Sequence, residues 1–162
     1  MRVHFSALGC RLNEAEVERL SRTAVALGHE VVADVSQADW ALINTCTVTH
    51  VAARKSRQAI RRLHQRAPEV RIAVLGCYGT MTPEVALSLP GVAMVIPNAE
   101  KERALRLIAE ASDASGSATA AAVSAHPPVR RTRAFVKIQD GCDNHCTYCV
   151  VRIARGPARS RP

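Results

Sequence analysis

The stretch Trp40-Ala41-Leu42-Ile43-Asn44-Thr45-Cys46-Thr47-Val48-Thr49 reads as a strand over residues 40–44, a small turn that holds a cysteine, and a threonine, Thr47 or Thr49, placed to cap a helix. The helix it opens is long and basic, and it ends before Pro68. The same unit recurs on either side. Upstream, residues 2–8 form an apolar strand leading to Gly9-Cys10, and Asn13 with Glu16 three positions on has the form of a capping box. That helix runs to Leu27, with Gly28 as its stop. Residues 31–35 form a further short strand. Downstream, residues 71–75 form a strand leading to Gly76-Cys77-Tyr78, and Thr82-Pro83 opens a helix with a cap and a proline at its first position. Residues 93–96 are a last strand, and Asn98 caps a helix through about Ala111. The order β-α-β-β-α-β-α-β-α predicts an α/β domain with an open, mostly parallel sheet covered by helices.

Cys10, Cys46 and Cys77 share one station in this scheme, at the carboxyl end of a predicted strand. In an open parallel sheet those ends lie along one edge, where ligands collect. Three thiols therefore converge. The flanks Gly9-Cys10, Thr45-Cys46-Thr47 and Gly76-Cys77-Tyr78 are small and loop-like, which allows backbone to approach a bulky cofactor. Burial of cysteine as a small hydrophobe explains any one of the three, but burial alone does not select that edge.

Residues 1–111 make up this domain, residues 112–127 change to Ala, Ser, Thr and Gly ending in His126-Pro127-Pro128 and read as a linker, and a second unit begins at residue 128. Its residues 134–139 read as a strand delivering the chain into Gly141-Cys142-Asp143-Asn144-His145-Cys146-Thr147-Tyr148-Cys149, where three thiols fall within eight residues. This C-x3-C-x2-C spacing lets one loop point three thiolates at one centre, and on a four-iron cubane three thiolates leave one iron without a protein ligand. Three other readings compete: a disulfide framework, disfavoured because three crowded thiols cannot all pair; a Cys3His zinc site completed by His145; and chance clustering, disfavoured by the polar residues between the cysteines.

At 48% hydrophobic residues the composition is that of an ordinary folded protein, and no apolar run approaches the length that spans a bilayer. Six cysteines without a secretory leader pattern lead to the expectation of a reducing, cytoplasmic compartment and no membrane partner. Of the net charge of +8, residues 128–162 supply six, through Arg130, Arg131, Arg133, Lys137, Arg152, Arg155, Arg159 and Arg161. A second basic group, Arg54, Lys55, Arg57, Arg61, Arg62 and Arg66, contains no acidic residue. Such density favours a polyanion, nucleic acid being the commonest; a solvated helix face is the alternative for the second group.

Leu8-Gly9-Cys10-Arg11-Leu12-Asn13, Ile43-Asn44-Thr45-Cys46-Thr47-Val48-Thr49, Gly76-Cys77-Tyr78 and Gly141-Cys142-x3-Cys146-Thr147-Tyr148-Cys149 occur in the order typical of the radical S-adenosylmethionine methylthiotransferases, and the chain resembles that family over essentially its whole length. The stretch from Arg54 to Arg62, with Arg133-Ala134-Phe135-Val136-Lys137-Ile138-Gln139-Asp140-Gly141, looks most like the branch acting on N6-threonylcarbamoyladenosine next to the anticodon of tRNA. Sister branches modify isopentenyladenosine in tRNA or an aspartate of a ribosomal protein. The resemblance implies two 4Fe-4S clusters, with Cys142, Cys146 and Cys149 matching the ligands of the radical cluster and Cys10, Cys46 and Cys77 those of an auxiliary cluster. It also implies S-adenosylmethionine, whose adenine would lie near Tyr148, together with an electron donor and a sulfur donor. Two departures touch loop packing: Arg152-Ile153 in place of a Pro-Tyr pair, and Gly79-Thr80 after Tyr78. The family continues beyond the equivalent of Pro162 through most of a partial (β/α) barrel and a small β domain, so residues 128–162 are expected to be the start of a truncated barrel and the chain alone is expected not to turn over. A non-catalytic, metal-stabilised RNA-binding module is the competing class.

Overall fold

The computed structural model describes residues 1–113 and 135–160. Four apolar runs form its central strands, β1 (Arg2–Ala7), β3 (Trp40–Thr45), β4 (Arg71–Leu75) and β5 (Val92–Ile96), and a two-residue strand, β2 (Glu30–Val31), lies outside β1. Every pairing in this five-stranded sheet is parallel, in the order β2-β1-β3-β4-β5. β3 is buried along its whole length, as a central strand covered on both faces must be. In register, Ala7 lies beside Asn44 and Asn44 beside Leu75, so these strands end level with one another.

The helices are α1 (Arg11–Ala26), α2 (His50–Arg66), α3 (Gly76–Met81), α4 (Pro83–Leu87), α5 (Ala104–Asp113) and α6 (Val151–Arg155). Alternation along the strands divides the core into two layers. On one face Ala41, Ile43, Ile72 and Val74 pack with Ile60 of α2, Tyr78 of α3 and Ala86 of α4. On the other face Val3, Trp40, Leu42, Ala73 and Leu75 pack with Leu20 and Ala24 of α1 and with Ala104, Leu105 and Ile108 of α5. Trp40 is fully covered and keeps its indole N–H satisfied by Ser112 Oγ at 2.9 Å.

The α/β architecture agrees with the sequence reading, and local differences have local causes. Thr49 caps α2 by accepting from the Ala52 amide at 3.0 Å, and Gly28, at φ +80°, ends α1. Cys10, not Asn13, occupies the N-cap of α1, because Asn13 and Glu16 face inward and are buried. The strand expected over residues 31–35 stops at Val31, since Asp34 accepts from the Ser36 amide and caps a 3-10 turn over Val35–Gln37. Residues 76–78, expected as a loop, open α3. Pro83 begins α4 as expected, but the Thr82 hydroxyl turns back and donates to Tyr78 O. Asn98 enters a 3-10 helix (Asn98–Arg103) instead of capping it, its amide donating to Thr80 Oγ1. The predicted linker falls almost entirely outside the described residues, while α5 continues to Asp113.

After residue 134 the expected strand is reduced to β6 (Gln139–Asp140), which pairs antiparallel with β7 (Arg159–Ser160). Residues 135–138 join no sheet, and Val136 and Ile138 are about 80% and 79% exposed. Among the described residues the onset of a barrel is therefore not seen. None of their helices is long and apolar enough to cross a membrane.

Candidate metal and cofactor site

Cys10, Cys46 and Cys77 follow β1, β3 and β4, which are neighbours in the sheet. In the strand order 2-1-3-4-5 the chain reverses its direction of winding between β1 and β3, and ligands bind outside the carboxyl ends of the strands at that crevice. Gly9 and Cys46 meet across it. A Cβ at Gly9 would lie 2.7 Å from the Cys46 sulfur, and the φ of +93° there suits glycine. One strand further on, Gly76 adopts φ +89° and makes an isolated bridge to Thr45, where a Cβ would collide with the Thr45 carbonyl. These close approaches bring the Cys10, Cys46 and Cys77 turns side by side. Cys46 and Cys77 are buried and Cys10 is exposed.

Amide side chains support the turns. Asn13 Nδ2 donates to Leu8 O at 2.7 Å and to Thr45 O at 3.1 Å, while its Oδ1 accepts a long 3.8 Å bond from Cys10 Sγ. Ser56 of α2 brackets Cys46, its Oγ accepting from the Cys46 amide at 3.1 Å and donating to the Cys46 carbonyl at 2.8 Å. Asn98 Nδ2 lies 3.8 Å from Cys77 Sγ and donates to Ala154 O at 2.6 Å. The buried Oδ1 atoms of Asn44 and Asn98 have no hydrogen-bond partner among the described residues. Such unsatisfied groups are uncommon in native cores and gather at functional sites.

Beneath this edge lies a buried ionic cluster. Glu16 is fully covered and receives Lys101 Nζ at 2.6 Å, Lys137 Nζ at 2.8 Å, Arg155 Nη1 at 2.9 Å and Asn44 Nδ2 at 2.9 Å. Asp140 shares Lys137 at 2.6 Å and Arg155 at 2.9 Å. Burial pushes the Glu16 carboxyl upward, but the charges of Lys101 and Arg155 outweigh it and hold the group far below the usual carboxylate range. Asp140 is likewise lowered: burial is opposed by its bonds to Lys137 and Arg155. For Arg155, burial is outweighed by Glu16 and the pKa is raised. Burial lowers Lys101, and Glu16 offsets this only in part because Arg155 and Lys137 repel the same ammonium. Three cations face two carboxylates, which leaves one surplus positive charge beside the thiols. A cavity of about 360 Å³ opens next to the cluster, lined in part by Arg19, Lys101, Phe135, Lys137 and Arg159.

The second thiol set lies on the loop between β6 and α6. Cys142 is half-buried and Cys146 and Cys149 are exposed, with the Cys149 amide donating to Cys146 O at 3.1 Å in a turn. Tyr148 is 90% exposed and His145 is exposed. All six thiols are free. Among the described residues no three His, Cys, Asp or Glu side chains are gathered closely enough to hold a metal ion. The fold brings the two sets of loops together but does not draw either set of sulfurs onto one point. The donor chemistry nevertheless suits an iron–sulfur cluster: soft thiolates in threes, glycines that clear space for a close backbone, and a cationic surplus to balance an anion.

Sequence reasoning did not find Asn13, Glu16, Asn44, Asn98 or Lys101 as parts of this site. For Asn13 and Glu16 the signal was present, because they continue the inward stripe of Leu20 and Ala24 at helical spacing.

The sequence profile of the uncharacterized protein family UPF0004 matches residues 2–97. The chain is 34% identical over 170 aligned residues to the threonylcarbamoyladenosine tRNA methylthiotransferase MtaB of Aquifex aeolicus, covering 99% of this chain and 42% of that protein. The chain belongs to the uncharacterized protein family UPF0004. Other methylthiotransferase relatives include MtaB of Bacillus subtilis, 36% identical over 98% of this chain and 38% of the relative. The tRNA-2-methylthio-N(6)-dimethylallyladenosine synthase of Sphingopyxis alaskensis is 33% identical, with the same two coverages. The chain thus spans about two fifths of the length of the curated methylthiotransferases it matches.

Proposed function

We propose that this chain carries the cluster-binding residues of a radical S-adenosylmethionine methylthiotransferase that modifies C2 of N6-threonylcarbamoyladenosine beside the anticodon of tRNA. One observation above all supports the reading: Cys10, Cys46 and Cys77 follow three adjacent parallel strands, and the backbone turns that bear them lie side by side at the sheet edge where such folds bind ligands. When bound, two 4Fe-4S clusters and S-adenosylmethionine supply one-electron chemistry and a sulfur source, which an unreactive aromatic C–H requires because no positioned acid or base removes that proton at neutral pH.

In this reading Cys10, Cys46 and Cys77 would hold the auxiliary cluster, and Cys142, Cys146 and Cys149 would hold the radical cluster, three thiolates being one fewer than a four-iron cluster has irons. Tyr148, exposed on the same loop, would contact the adenine of the cofactor. Asn13, Ser56 and Asn98 fix the backbones and orient the thiols of the first set, and the ionic cluster supplies a compensating positive charge. Arg54, Lys55, Arg61 and Arg62 are exposed on α2, a face suited to tRNA phosphates. Domain limits at residues 1–111 and from 128 onward, a cytoplasmic location, and external electron and sulfur donors belong to the same proposal.

Substrate choice between the two tRNA branches rests on the relatives, whose names include both threonylcarbamoyladenosine and dimethylallyladenosine enzymes. Mass spectrometry of tRNA nucleosides from a strain lacking the full-length gene tests it. Loss of the methylthio group from threonylcarbamoyladenosine alone supports the proposal. Loss from the isopentenyl nucleoside, or from neither, contradicts it.

A further inference from the structure

Three consecutive residues, Ala154, Arg155 and Gly156, connect to all four cysteine-bearing segments, directly or through Asn13 and Asn98. Ala154 O accepts from Asn98 Nδ2, whose other neighbour is Cys77 Sγ at 3.8 Å. Arg155 Nη2 donates at 2.6 Å to Asn13 Oδ1, the atom that also receives Cys10 Sγ, and Asn13 Nδ2 in turn holds Thr45 O immediately before Cys46. On the other side, Arg155 Nη1 bonds Asp140 Oδ1, which accepts from the Gly141 amide at 3.0 Å, and Gly156 O accepts from the Cys142 amide at 3.2 Å. Arg155 is about 6% exposed, so water does not compete for these bonds.

We propose that Arg155 is a positioning residue whose guanidinium fixes the 142–149 loop in register with the sheet edge bearing Cys10, Cys46 and Cys77, and so sets the separation of the two thiol sets. A planar, forked donor is required, because one group must reach Asn13, Glu16 and Asp140 in fixed directions, and a lysine ammonium cannot match all three. The reading of the thiols as cluster ligands is taken from the function proposed above; the docking of the loop is not.

The test uses the full chain with Arg155→Met and Arg155→Lys. Glu16 retains Lys101 and Lys137 in both, which keeps its carboxylate paired. In the metal-free chain, hydrogen exchange at the amides of Cys142, Ala154 and Gly156 should rise at least tenfold in Arg155→Met and less in Arg155→Lys, with Ile43 and Val74 unchanged. Unchanged exchange at the loop, or an equal rise in the sheet, overturns the proposal. After anaerobic loading with iron and sulfide and reduction by dithionite, the wild-type chain should show mutual broadening of two paramagnetic signals. Arg155→Met should keep its iron and lose that broadening, and Arg155→Lys should restore part of it. Full iron with the same broadening in Arg155→Met contradicts the positioning role and leaves the proposed function intact. A wild-type chain that takes up no iron sinks the proposed function, and the exchange data alone then decide whether Arg155 docks the loop.

Discussion

Replacing Glu16 by Gln keeps the shape of the side chain and removes the one carboxylate on which Lys101, Lys137 and Arg155 converge. Lys137 and Arg155 retain Asp140, but Glu16 is the acid paired with Lys101 among the described residues, and that ammonium is only 4% exposed. Removing one partner of a buried pair costs about 3–5 kcal/mol because the other charge is stranded. With a urea dependence of about 2 kcal/mol/M, the unfolding midpoint should fall by roughly 1.5–2.5 M. Adding Lys101→Met removes the stranded charge and should recover about half of the loss or more. Burial already lowers the Lys101 pKa, so the single variant should regain stability as pH rises above that lowered value toward about 10.4, where the unfolded lysine also loses its proton. A midpoint change under about 0.5 M, or no recovery in the double variant, would refute the account of this cluster.

Acid should loosen the wild-type chain by a related route. The folded pKa values of Glu16 and Asp140 are depressed, so their stabilisation is complete above the unfolded values, about 4.3 and 3.9, and is lost as pH falls from there through the folded values. Urea midpoints measured from pH 7 down to pH 3 should therefore drop more steeply in the wild type than in Glu16→Gln. Gly76→Ala should cost about 2 kcal/mol or more, because it combines a left-handed backbone with a collision against Thr45 O, whereas Gly28→Ala, with open space around it, should cost about 1 kcal/mol; thermal melts compare them. Reversing Arg54, Lys55, Arg61 and Arg62 to Glu should weaken tRNA binding and flatten its salt dependence, by about 0.7–0.9 in log–log slope for each phosphate no longer neutralised. The melting temperature should barely change, since all four side chains are exposed.

The parallel sheet was legible because β1, β3, β4 and β5 are apolar runs, and three of the turns that follow them bear a cysteine. The placement of Cys10, Cys46 and Cys77 followed from topology alone, since parallel strands must present their carboxyl ends along one edge. Asn13 and Glu16 were misread because a capping box and an inward polar pair share the same i, i+3 spacing; which one forms depends on where the helix starts, and here Cys10 takes the cap. The short elements β2 and α3 were set by contacts with neighbouring segments, the Gly76 bridge to Thr45 among them, which no local pattern records. Arg155 was visible as one member of a basic tail and within the family-like stretch Ala154-Arg155-Gly156, but not as a buried partner of Glu16. Its burial depends on Glu16, far away in sequence, and pairing of that range leaves no periodic trace.

The most direct test of the central claim is the metal content of the chain after anaerobic reconstitution with iron and sulfide. Two cubanes predict about eight irons per chain, and replacing Cys142, Cys146 and Cys149 by Ala should leave about four, as should replacing Cys10, Cys46 and Cys77. Iron near zero with tight retention of zinc would contradict the claim and favour a metal-stabilised RNA-binding module.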